Sequence, residues 1–157
     1  MRAWLSSLVY CERALSHARA INDTRLTLVG LWRTGSTLIL SGAPAEGVLW
    51  CNEALTHSPA PFDRVTIDAV RGNGLLRSGH IDEGIVQLQE ATAWFKERNL
   101  WHDYSVFGMH LGEGYVQRGE RGLAHTLFAE IVSVSHDRGY GRLEAQAKKF
   151  LYVMEKE

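Results

Sequence analysis

Two cysteine–histidine pairs recur with one spacing, Cys11 with His17 and Cys51 with His57. Thiolate and imidazole are both zinc ligands, so metal binding is the first chemistry to weigh. Helix geometry argues against it. Six residues turn a helix through ~600°, so the two side chains of a pair point about 120° apart and cannot share one ion. Corresponding helices in neighbouring repeats lie ~8–10 Å apart, beyond the ~7 Å Cα separation that a disulfide tolerates. The pattern therefore predicts core thiols at equivalent packing positions, with no metal and no cofactor.

Other candidates reduce in the same way. Gly72-Asn73-Gly74 and Gly112-Glu113-Gly114 have the look of phosphate loops. Neither follows a strand nor carries the Lys-Ser/Thr of a P-loop, and both fall mid-helix, where they read as packing glycines. Asp82-Glu83 opens a helix, and carboxylates there suit the positive end of the macrodipole without any catalytic role. No HExxH, paired CxxC or GxSxG occurs, so hydrolase chemistry has no positive support. The seven histidines (17, 57, 80, 102, 110, 125 and 136) are scattered; His110, on the first helix of a pair, is the one to follow. The sequence thus points away from an enzyme.

The 157 residues are 45% apolar and 22% charged, with 3 prolines. That suits one domain able to bury roughly 68–70% of its unfolded surface, and is too apolar for a disordered chain. Seventeen Lys plus Arg against 18 Asp plus Glu gives a net charge of −1, so no field exists to hold a nucleic-acid backbone. Apolar runs fall far short of the ~20 residues of a membrane span. Glu12 and Arg13 interrupt the stretch where a signal peptide would stay apolar. The expectation is a soluble, cytoplasmic protein that meets neither nucleic acid nor membrane.

What must position any functional residue is an internal repeat. LVYCERAL (Leu8–Leu15) returns as VLWCNEAL (Val48–Leu55) 40 residues later, then as IVQLQEAT from Ile85 and HTLFAEIV from His125. Turn glycines at Gly42, Gly79 and Gly119 keep the same steps of 37 and 40, each seven residues after Gly35, Gly72 and Gly112. Each period holds two helical patterns, such as Phe107, Leu111 and Tyr115, then Ala124, Phe128 and Ile131. Asn22-Asp23-Thr24 offers caps, Pro44 suits a first turn, and Ser58-Pro59-Ala60-Pro61 breaks the chain before Asp63, a candidate cap. Asn99 and Gly139 look like helix-ending residues. Eight helices follow, about 2–21, 24–40, 44–57, 63–77, 81–98, 102–117, 120–137 and 141–155. A helix-interior glycine costs up to ~1 kcal/mol against alanine. Gly35, Gly72 and Gly112 are therefore expected to face Gly47, Gly84 and Ala124, where missing side chains let two helices close together.

Leu111-Gly112-x-x-Tyr115 followed by Ala124-x-x-x-Phe128 resembles the tetratricopeptide (TPR) repeat, W-x₂-L-G-x₂-Y…A-x₃-F. The preceding copies keep Gly72, Leu75, Gly79, Gly84, Leu88 and Ala91, and Gly35, Leu38, Gly42, Gly47, Cys51 and Ala54. The family's leading tryptophan and closing proline are missing, and the period is longer than 34, as in arrays of large bacterial signalling regulators. The resemblance implies an all-α, right-handed α-solenoid of TPR-like hairpins with about eight antiparallel helices. As one domain over 1–157, it would comprise a half-repeat at 1–21, repeats at about 24–60, 61–99 and 100–138, and a terminal helix at 140–157. The opening half-repeat reads either as a cap or as a sign that the chain belongs to a longer array.

The resemblance also implies a site. In TPR superhelices the first helices of the pairs line a concave groove that binds a protein or peptide segment. On this chain those positions are Trp32, Arg33 and Ser36, then Asn73 and Arg77, then Met109, His110 and Glu113. Trp32 and Met109 offer apolar contact, the arginines offer carboxylate pairing, and Asn73 offers hydrogen bonds. The lysine-rich carboxylate clamp of chaperone-binding TPR domains is rejected, because these faces hold no lysine. The expected function is a non-catalytic binding scaffold; the alternative is the effector-sensing region of a larger bacterial signalling or transcriptional regulator holding a small molecule. The terminal helices offer a surface for self-association.

Overall fold

A computed structural model describes residues 2–156, with side chains for 8–156; Met1 and Glu157, which close the expected first and last segments, lie outside the described residues. All regular structure among the described residues is helical: α1 (Arg2–Ala20), α2 (Thr24–Ser41), α3 (Pro44–Thr56), α4 (Pro61–Arg77), α5 (Ile81–Glu97), α6 (Trp101–Arg118), α7 (Arg121–Asp137) and α8 (Gly141–Met154). None is long and apolar enough to cross a membrane. The chain forms two compact units, Met1–His80 with α1–α4 and Ile81–Glu157 with α5–α8.

Within the first unit each helix packs on the next, and α2 also lies against α4; within the second, α5–α8 pack in sequence and α6 touches α8. The caps explain the short turns. Asp23 accepts the Leu26 amide at 2.8 Å and opens α2. Gly42 closes that helix at φ 104°, a conformation that disfavours any side chain, while the next amide returns to the Leu38 carbonyl at 2.9 Å. The expected cap at Asp63 is corrected. α4 begins at Pro61, capped by Ala60, because proline needs no hydrogen bond at the first position; Asp63 sits inside the first turn.

The two units share a register offset of 77 residues from α1 through most of α3. Asn22 and Asn99 close α1 and α5 at φ 54° and 58°. Asp23 and Leu100 follow, bonding back to Ala18 and Phe95 at 3.0 and 2.9 Å. Gly35 and Gly112, and Gly42 and Gly119, stand in the same relation.

The glycine contacts follow the expectation in the first unit and revise it in the second. A methyl on Gly35 would meet the Gly47 carbonyl oxygen at 2.8 Å and Cys51 Sγ at 3.0 Å, so α2 and α3 close backbone to backbone. At Gly112 the nearest atoms belong to the Phe128 ring, which a methyl would meet at 2.5 Å. Phe128 is fully buried and stacks on Phe150 at 4.9 Å, so a large side chain fills what α2 and α3 close by approach. Gly72 and Gly84 are both buried. The first unit's core is aliphatic, including Leu31, Ile39, Cys51, Ala54 and Ile67; the second adds the stacked pair Phe95–Phe107 at 5.6 Å.

Candidate binding surface

Helix α2 carries Trp32, Arg33 and Ser36 within little more than one turn. Trp32 and Ser36 are half-buried, whereas Arg33 is exposed and lies over the Trp32 ring, 5.0 Å from its centroid. That contact keeps the guanidinium beside an apolar face. On α4, Arg77 donates from Nε to Asn73 Oδ1 at 3.1 Å. Asn73 itself is only 6% exposed, so its amide serves to orient Arg77. In the second unit, His110 Nδ1 lies 3.5 Å from Glu113 Oε2 one turn along α6, both half-buried, while Met109 is 2% exposed. The structure thus joins the eight sequence-derived positions into three local pairs, with Met109 and Ser36 outside them. Arg33 and Arg77 are both exposed, on α2 and α4, and a guanidinium suits carboxylate or phosphate groups.

The cysteines differ from each other. Cys51 is completely buried, and burial, with a smaller contribution from Asp68 against the opposing charge of Arg71, pushes its thiol up to about 12. Cys11, expected in the core, is half-buried instead, its Sγ 3.8 Å from Thr37 Oγ1. His17 is exposed and His57 half-buried. Among the described residues no three His, Cys, Asp or Glu side chains gather as a metal site would need. Asp82 accepts from Arg118 at 3.3 Å, and the same guanidinium donates to Glu120 at 2.5 Å.

The sequence reading missed a charge arrangement that occurs once in each unit. Arg19 of α1 pairs with Glu53 of α3 at 2.6 Å, and Lys96 of α5 pairs with Glu130 of α7 at 2.5 Å. Both pairs span 34 residues, and they are related by the 77-residue register. In the second unit the Tyr104 hydroxyl also bonds Glu130. Burial first, then the Glu130 carboxylate, drives the Tyr104 phenol well above its ordinary range. Burial pushes Glu130 up, yet the bonds from Lys96 and Tyr104 and the Lys96 charge outweigh it and hold the carboxyl below its usual range. A basic residue followed 34 later by an acid, repeated one register on, was the signal available. No protein-family model matches the chain, and neither does any curated protein with which it was compared.

Proposed function

We propose that the chain is a non-catalytic binding module, a right-handed array of TPR-like hairpins that takes a protein or peptide segment on the first helices of its pairs. The observation that carries this reading is the side-by-side packing of α2 and α4, first helices of consecutive hairpins, within the first unit. Each brings an exposed arginine held by a neighbour, Arg33 by Trp32 and Arg77 by Asn73. Groups already held in place lose little freedom on binding. The chemistry favours an acidic segment with an apolar side chain for Trp32.

The test is selection of peptides from a displayed library on the full chain, followed by titration of an enriched peptide. Acidic–apolar sequences are expected, with Trp32→Ala and Arg77→Glu each weakening them about tenfold or more. Unchanged affinity in both variants, or no enrichment at all, would overturn the reading.

A further inference from the structure

The shared register exposes one place where the units differ. In the second unit α6 opens with Trp101, and Tyr104 follows one turn on, buried, with its hydroxyl on Glu130. Lys96 Nζ stands 5.4 Å from the Tyr104 ring centroid, and Trp101 packs edge-on against that ring at 5.9 Å. In the first unit the flanking ion pair is kept as Arg19–Glu53. The counterparts of Trp101 and Tyr104, however, are Thr24 and Thr27.

Two aromatic rings are thus replaced by two threonines without a change in the turn that precedes them, since Asn22 and Asn99 keep the same left-handed backbone. A cleft of about 410 Å³ remains, lined by Arg19, Asn22, Thr24, Thr27 and His57. Thr27 is only 7% exposed.

We propose that this cleft binds a small phenol, seated where the second unit holds its own Tyr104. Its hydroxyl donates to the Glu53 carboxylate, its ring face meets the Arg19 guanidinium as Tyr104 meets Lys96, and the threonine side chains border its edge. The site shares no residue with the proposed peptide surface, so either can fail alone.

The test is a titration of the isotope-labelled full chain with p-cresol, followed by amide chemical shifts. A ligand of so few heavy atoms is expected to bind with a dissociation constant on the order of 1 mM, with shifts concentrated at Arg19, Asn22, Thr24, Thr27 and His57. Toluene, which lacks the donor, should bind about tenfold more weakly, as should p-cresol to Glu53→Gln. Thr27→Tyr should fill the cleft from within, abolish the p-cresol shifts and raise the melting temperature. N-acetyl-tyrosinamide separates the sources: binding at least as tight as p-cresol assigns the site to a tyrosyl side chain of a partner, and weaker binding to a free phenol. Absent or scattered shifts, toluene binding equal to p-cresol, or undiminished binding by Glu53→Gln would overturn the proposal. So would a folded Thr27→Tyr protein that still binds p-cresol; if that variant does not fold, the Glu53→Gln titration decides.

Discussion

Replacing Gly47 with alanine sets two known effects against each other. In open space, alanine at a helix-interior glycine would stabilise α3 by up to ~1 kcal/mol. The added methyl, however, would lie 2.5 Å from the Gly35 carbonyl oxygen, 2.5 Å from Ile39 Cγ1 and 3.1 Å from the Ile39 amide nitrogen. Two of these atoms are main chain, and Ile39 is 1% exposed, so no flexible end can swing aside and α2 and α3 must separate. Overpacking typically costs 1–3 kcal/mol, and a backbone contact belongs at about the upper end. The net expectation is about 2 kcal/mol of destabilisation. For a unit the size of Met1–His80, that is a fall of about 10 °C in melting temperature. Gly122→Ala is the control, because nothing lies within 4 Å of its added carbon; it should be neutral or stabilise by about 0.5 kcal/mol. Thermal and urea unfolding followed by far-ultraviolet circular dichroism reads both. If Gly47→Ala stabilises as much as Gly122→Ala, the glycines do not wedge the hairpin and the packing argument fails.

Asp23→Ala should cost about 1 kcal/mol, measured by urea unfolding, because the Leu26 amide loses its side-chain acceptor. A thiol reagent on the native protein should label Cys11 rapidly and Cys51 only on unfolding; equal rates would contradict the burial of Cys51. Because the Cys51 pKa is raised in the folded state, its contribution is present below about pH 9 and lost as pH rises toward 12, so Cys51→Ala should flatten the alkaline loss of stability. Glu130 has the opposite sign. Its folded pKa is depressed, so its contribution is fully present above the ordinary glutamate value of about 4.3 and lost as pH falls through the folded value. Glu130→Gln should therefore flatten the acid limb of a stability–pH curve, and it should also lessen the alkaline loss, because the same carboxylate helps hold the Tyr104 phenol up.

The hairpin rhythm was legible because glycines mark both the turns and the close approaches, and neither use depends on a distant side chain. Gly35 facing Gly47 follows from register alone. The partner of Gly112 did not, because periodicity places Phe128 on a helix face without saying how far its ring reaches. Asp63 misled because a good capping residue was weighed above Pro61, whose missing N–H makes it the better first residue. Cys11 repeats the motif around Cys51, but burial depends on what covers a helix, and there the two helices differ. Asn73 and Met109 were chosen by position on a repeat, which does not reveal that both are almost wholly buried. The Arg19–Glu53 and Lys96–Glu130 pairs join helices two apart in the chain, a separation that no i,i+4 rule flags. The cleft beside Thr27 becomes visible in the sequence only when Thr24 and Thr27 are set against Trp101 and Tyr104.

Amide hydrogen exchange of the full chain, with and without a library-selected peptide, tests the central claim most directly. Binding on the first helices of the first unit's hairpins predicts added protection in α2 and α4, around Trp32 and Arg77. Protection confined to α3 and α7, or no change at saturating peptide, would contradict it.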